Sequence, residues 1–245
     1  MKLLIDKTEI PALPGDTIMD AARRAGIFIP GLCWNEASEK SHCCRLCMVE
    51  VMDRGKEKLV AACAFKVKDL MEVTTDSPRI ARIRKTMLRL LYTQAPDNPA
   101  IVELMDRYGI AAEPALPVRD NTQCILCRLC VSNCGALGAS AISAVDRGIT
   151  KRIDTPYGAP SPDCIGCGAC ADICPTNCIE VEDTPEYRKI WNQEFAWARC
   201  SCCGAIITTE AHYQASNPPG APVLCPTCKK KAMGDVFAES LGERV

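Results

Sequence analysis

The chain has 245 residues, 19 of them cysteine, with 24% charged side chains and a formal net charge of −1. Near-neutrality excludes the overall field that a polyanion binder uses, and 5% aromatics beside so many thiols predicts several small modules held by metal as much as by a core. The first apolar run breaks at Asp6, so no secretory signal is expected, and no window reads as membrane-spanning; the thiols then belong in a reducing, cytoplasmic compartment as metal ligands.

Residues 1–76 read as a small α/β domain. Lys2–Lys7 and Glu9–Leu13 pattern as a hairpin, and Thr17-Ile-Met-Asp20 as a capping box opening a helix. That helix would carry Ile18, Ala21, Ala22 and Ala25 on one side and end at Gly26. Next come Cys33, the pair Cys44-Arg-Leu-Cys47 and a distant Cys63. One cysteine, a loop, a C-x2-C pair and a far fourth thiol form the ligand set of a [2Fe–2S] centre, with its two ferric ions and two sulfides to enclose and balance. Val49–Met52 reads as a strand leaving the site.

Four stretches carry a family resemblance: Ile29-Pro-Gly-Leu-Cys33, Cys44-Arg-Leu-Cys47-Met-Val-Glu-Val51, Ala61-Ala-Cys63 and Thr75-Asp-Ser-Pro78. Over residues 1–95 the chain resembles the N-terminal [2Fe–2S] domain shared by three groups of proteins. These are the large iron–sulfur subunit of respiratory complex I, the diaphorase iron–sulfur subunit of NAD-linked hydrogenases, and [FeFe]-hydrogenases. The resemblance implies a ferredoxin-like β-grasp fold with Cys33, Cys44, Cys47 and Cys63 as ligands. His42-Cys43 departs from the family's Gly plus small residue, and Cys43 reads as a packed spare thiol.

Residues 77–115 read as a helical connector. Ser77 caps a helix over 77–94 with Ile80, Ile83, Met87, Leu90 and Leu91 as its apolar stripe. Arg79, Arg82, Arg84, Lys85 and Arg89 would form its solvated face. A second helix runs from Asn98-Pro99 to Gly109 with Ile101, Leu104, Met105 and Tyr108 inward. In the resembled family this segment supplies one histidine and three cysteines to a further cluster. Gln94–Gly109 contains neither residue type, so that cluster is expected to be absent. The proline-bearing stretch Glu113–Pro117 marks a boundary near 115.

Residues 116–184 hold C-x2-C-x2-C-x3-C twice. In such a run three thiolates ligate one cubane and the fourth reaches the neighbouring one. Cys124, Cys127, Cys130 and Cys174 are therefore expected on one [4Fe–4S] cluster, and Cys164, Cys167, Cys170 and Cys134 on the other. The spacer 146–160 is compatible with a hairpin, and Cys178 reads as a packed thiol. This segment again resembles the two-cluster domain of complex I and hydrogenase subunits.

Residues 185–245 read as an aromatic helix and a four-cysteine tail. Tyr187, Trp191 and Phe195 recur at helical spacing over 185–198. Cys200, Cys203, Cys225 and Cys228 form two knuckles suited to a tetrahedral site. Zinc is expected there, with rubredoxin-like iron or a further [4Fe–4S] cluster as alternatives. Cys202 is left spare, and His212 reads as a surface histidine.

The expected fold class is α+β: a β-grasp [2Fe–2S] domain, a helical connector, a two-[4Fe–4S] ferredoxin-like domain and a zinc-ribbon-like module. Three redox clusters without a phosphate loop, a dinucleotide fingerprint or a nucleophile–base pair predict an electron-transfer subunit and no catalytic residue. By resemblance its partners would be a flavin- and NAD(P)-binding subunit and a catalytic or ferredoxin-linked subunit, with electron bifurcation conceivable for the whole assembly. The catalytic partner would be of hydrogenase, formate dehydrogenase or transhydrogenase type. The chain is not expected to be itself an [FeFe]-hydrogenase, since about seventy residues after Cys174 are too few and Cys203 precedes Gly204. An iron–sulfur redox sensor with a nucleic-acid-binding ribbon is the alternative, against which the tail lacks a sustained basic face.

Overall fold

The computed structural model describes all residues except 37–41, 54, 114–115, 117–122 and 243–245, and leaves out the side chains of 235–242. The expected boundary at 115 falls largely outside the described residues. Asp6 and Lys7, both left-handed (φ 48° and 70°), form the two-residue turn from β1 (Lys2–Ile5) to β2 (Thr8–Pro11). The Thr17 hydroxyl accepts from the Asp20 amide and the Asp20 carboxylate from the Thr17 amide, opening α1 (Ile18–Arg24). Met19 is buried in this helix along with Ile18, Ala21 and Ala22, while the expected Ala25 is exposed. Gly26 at φ 74° closes it.

β3 (Met48–Asp53), β4 (Lys56–Ala61) and β5 (Met71–Thr74) complete a five-stranded sheet in the order β2-β1-β5-β3-β4. β1 and β5 are parallel and every other neighbour is antiparallel, with α1 packed across one face, which is the β-grasp arrangement.

α2 (Pro78–Gln94) starts where Ser77 Oγ accepts from the Ile80 amide at 3.2 Å, and α3 (Pro99–Arg107) where Asn98 caps Ala100. The buried column of α2 is Ile80, Arg84, Leu88 and Leu91, turned from the expected stripe, and Leu90 is exposed. A second core joins α2 and α3 to the loop around Cys33 and Cys44 and to Ile125, Cys127 and Leu129. This core seats the loop from Cys33 to Leu46, with α2 and α3, on the first cysteine run.

α4 (Leu129–Ala136) carries Cys130 and Cys134 of the first run and α5 (Ala169–Asp172) carries Cys170 of the second, and β6 (Ser143–Val145) pairs with β7 (Arg152–Asp154) across the spacer. The helix expected over 185–198 is not formed. β8 (Val181–Asp183), β9 (Tyr187–Ile190), β10 (Gln193–Arg199) and β11 (Ile206–Thr209) make a four-stranded antiparallel sheet instead. Trp191 and Asn192, at φ 53° and 56°, form a two-residue turn between β9 and β10. The period-two burial of Phe195 and Trp197 overrode the i, i+4 recurrence of the aromatics, because the strand buries both rings on one face, with Phe195 against the second cysteine run. α6 (Glu210–Ser216) and α7 (Pro226–Gly242) close the chain. Among the described residues no helix is long and apolar enough to cross a membrane.

Candidate metal centres

All 19 cysteines are free, and the candidate ligands gather in four places. In the β-grasp module they meet as two pairs. Cys33 Sγ lies 3.3 Å from Cys44 Sγ, and Cys47 Sγ 3.2 Å from Cys63 Sγ, all four residues being buried. The Cys44 amide donates to Cys33 Sγ at 3.3 Å, and Arg45 at φ 55° turns the loop between Cys44 and Cys47. The sulfur-to-sulfur contacts, together with burial, push the Cys44 and Cys63 thiols up, while the contact from Cys63 holds Cys47 down. Four thiolates at this spacing repel one another unless a cationic centre sits among them. The site therefore fits a metal group. His42 Nδ1 is also 3.2 Å from Cys63 Sγ, a contact the cysteine spacing did not foretell.

In the second module Cys124, Cys127, Cys130 and Cys174 line one cavity, joined by Cys178. Burial pushes Cys127 and Cys130 up to about 12. The Leu126 amide donates to Cys124 Sγ at 3.4 Å, a contact that favours thiolate. Cys178 lies closer than a bystander would, with its sulfur 3.5 Å from that of Cys174. Cys134, Cys164, Cys167 and Cys170 line another cavity, with Trp191 on its wall. Here the Ala141 amide donates to Cys134 Sγ at 3.3 Å and the Trp191 indole to Cys170 Sγ at 3.5 Å, while burial pushes Cys170 up to about 11.

The two runs share backbone geometry but not side chains. Leu126 and Arg128 in the first run are left-handed (φ 55° and 63°), as are Gly166 and Gly168 at the same places in the second (φ 64° and 80°). Glycine is needed only in the second run, where the β9–β10 hairpin lies on the loop. A Cβ on Gly166 would stand 2.5 Å from Phe195 Cγ, and one on Gly168 2.7 Å from Arg188 Nη1.

In the tail, the sulfurs of Cys200, Cys203, Cys225 and Cys228 all lie within 4.8 Å of one another. The Cys225 amide donates to Cys200 Sγ at 3.3 Å and pulls that thiol down to about 6. The Cys228 amide donates to Cys225 Sγ at 3.4 Å. His212 sits on α6, where its Nδ1 meets Thr208 Oγ1 at 2.7 Å.

The modules touch through Cys43. Its sulfur lies 3.6 Å from the Cys127 carbonyl oxygen and 3.9 Å from that of Leu126. Cys43 is adjacent in sequence to Cys44, so two candidate ligand sets are linked by one side chain and the core beneath it.

Fold and cysteine sets define an iron–sulfur electron-transfer protein. Residues 1–78 match the 2Fe-2S iron-sulfur cluster binding domain and residues 123–178 the 4Fe-4S dicluster domain. The chain is 32% identical over 86% of its length to the NADPH-Fe(3+) oxidoreductase subunit alpha of Geobacter sulfurreducens, and 30% identical over 78% to the NADP-reducing hydrogenase subunit HndD of Solidesulfovibrio fructosivorans. It spans only 28% and 37% of those two relatives. Among solved structures, a chain of the NAD+-reducing [NiFe]-hydrogenase in the H2-reduced state superposes with TM-score 0.54 at 30% identity, over 63% of this chain and 74% of that one. The chain belongs to this family of iron–sulfur subunits of multi-subunit oxidoreductases.

Proposed function

We propose that the chain relays single electrons between a flavin- and NAD(P)-binding subunit and a catalytic or ferredoxin-linked subunit of a cytoplasmic oxidoreductase complex. In this reading Cys33, Cys44, Cys47 and Cys63 hold a [2Fe–2S] cluster, with Cys33/Cys44 on one iron and Cys47/Cys63 on the other, as the two short sulfur pairs suggest. Cys124, Cys127, Cys130 and Cys174 hold one [4Fe–4S] cluster, and Cys164, Cys167, Cys170 and Cys134 the second. When bound, these groups supply one-electron storage and transfer at potentials the protein tunes. The chain's own residues bury eight of these twelve cysteines and aim amides and the Trp191 indole at the sulfurs. The modules divide at 76/77 and 115/116, whereas a division at 184/185 would part β8 from β9 in the sheet whose β9–β10 hairpin roofs the second run.

One observation carries the relay: the contact of Cys43 with the Cys127 carbonyl over a shared apolar core. It supports direct passage between the N-terminal module and the first cubane, without the histidine-ligated cluster of the resembled family. Cys200, Cys203, Cys225 and Cys228 bind zinc in a closed structural site, as expected of four thiolates within one sphere. The test is an anaerobic redox titration followed by EPR, with iron analysis. It should give one [2Fe–2S] and two [4Fe–4S] signals and about ten irons per chain. Cys124→Ala should remove one cubane, whereas Cys178→Ala should keep both; loss of a cubane in the second variant alone would overturn the ligand set.

A further inference from the structure

Arg84 is the one member of the basic set on α2 that points inward, 3% exposed between Ile80 and Leu88. Its Nε donates to the Leu46 carbonyl at 3.2 Å and its Nη2 to the Met48 carbonyl at 3.3 Å, so the guanidinium brackets Cys47. The Tyr108 ring centroid lies 5.4 Å away. Among the described residues no carboxylate forms an ion pair with it; Asp76 and Asp6 act on it only from farther off. A buried guanidinium keeps its proton and needs a counter-charge. The contrast is Arg188, which likewise grips the carbonyl of a candidate ligand, Cys167, at 3.0 Å but is paired bidentately with Asp183 at 2.7 and 2.8 Å.

The carbonyl contacts also set peptide direction. The Cys44 N–H donates to Cys33 Sγ while the Leu46 C=O is taken by Arg84, so the loop presents a donor to the ligand side and acceptors to the arginine. With four thiolates and two sulfides around two irons, the group held by Cys33, Cys44, Cys47 and Cys63 carries net negative charge, and one more unit when reduced. We propose that Arg84 is the built-in counter-cation and loop-positioning residue of the [2Fe–2S] centre. It stabilises the reduced form and raises the potential of that centre selectively. The inference rests on the ligand set proposed above.

The test compares Arg84→Lys, Arg84→Gln and Arg84→Met in the full, cluster-loaded chain, by EPR-monitored anaerobic titration. At a fixed potential the neutral variants should lower the reduced-to-oxidised ratio of the [2Fe–2S] signal at least tenfold, equivalent to 59 mV for one electron. Arg84→Lys should stay within about threefold of the parent, and both cubane midpoints should not move. If the neutral variants lose the [2Fe–2S] signal while the lysine variant keeps it, the need for a cation is shown by retention instead. An unchanged midpoint in a neutral variant, or a lysine variant shifted as far as glutamine, overturns the proposal. So does loss of the signal in all three, since charge alone would not then suffice. Absence of the signal in the unaltered chain would refute the ligand set, and with it the role of Arg84 that rests on it.

Discussion

Gly166→Ala tests how tightly the β9–β10 hairpin is seated on the second cysteine run. Two effects add. An alanine at φ 64° pays the left-handed penalty of about 1–2 kcal/mol. Its Cβ also meets Phe195 Cγ at 2.5 Å and Cδ2 at 2.7 Å, and because Phe195 is buried the ring has no free direction to swing, adding about 1–3 kcal/mol of overpacking. The expected loss is about 2–5 kcal/mol. Phe195→Ala alone should lose about 3–5 kcal/mol through the cavity it leaves. In the double variant the steric part of the glycine change vanishes, since the added methyl enters space the ring vacated. Only the left-handed part remains, giving a coupling of about 1–3 kcal/mol in the stabilising direction. The assay is thermal unfolding of the loaded chain followed by circular dichroism, at about 2–4 °C per kcal/mol for a chain of this size. Additivity within about 0.5 kcal/mol would refute the claim that Phe195 is what forbids a side chain at 166. Leu126→Ala, at the same place in the first run, should change stability by less than Gly166→Ala, because that left-handed position already carries a Cβ.

Two further outcomes are expected. Trp191→Phe removes the indole donor to Cys170 and should lower the reduced-to-oxidised ratio of one cubane by a factor of about two to five, in line with a hydrogen bond worth roughly 0.5–1 kcal/mol more to the reduced state; an unchanged pair of cubane midpoints argues against that contact. Metal analysis of the full chain should find one zinc beside the iron, lost in Cys203→Ser but retained in Cys202→Ala, and finding extra iron and no zinc would reassign the tail to a redox site.

The C-x2-C stretches were legible in the sequence because two-residue spacings bring sulfurs together through chain connectivity alone, whereas Cys63 and Cys174 reach their neighbours only through the fold. The same holds for the helix caps at Thr17, Ser77 and Asn98, where the donor and acceptor lie within three residues. Three features were decided only by tertiary structure. The segment 187–199 carries an aromatic recurrence that fits a helix and an alternation that fits strands, and the surface offered by the second cysteine run selected the strands. Cys43 looked like a spare thiol until the core of α2, α3 and the first run brought it against Cys127, 84 positions away. Arg84 looked like one of five basic side chains on a wet helix face. Its burial depends on which way α2 rotates over the loop holding Cys44 and Cys47, a choice made by packing across 36 to 38 residues of sequence and invisible to any local pattern. The grouping of thiols within each C-x2-C stretch is thus a local property of this chain, while the contacts between its sites and the charge beside them belong to the assembled fold.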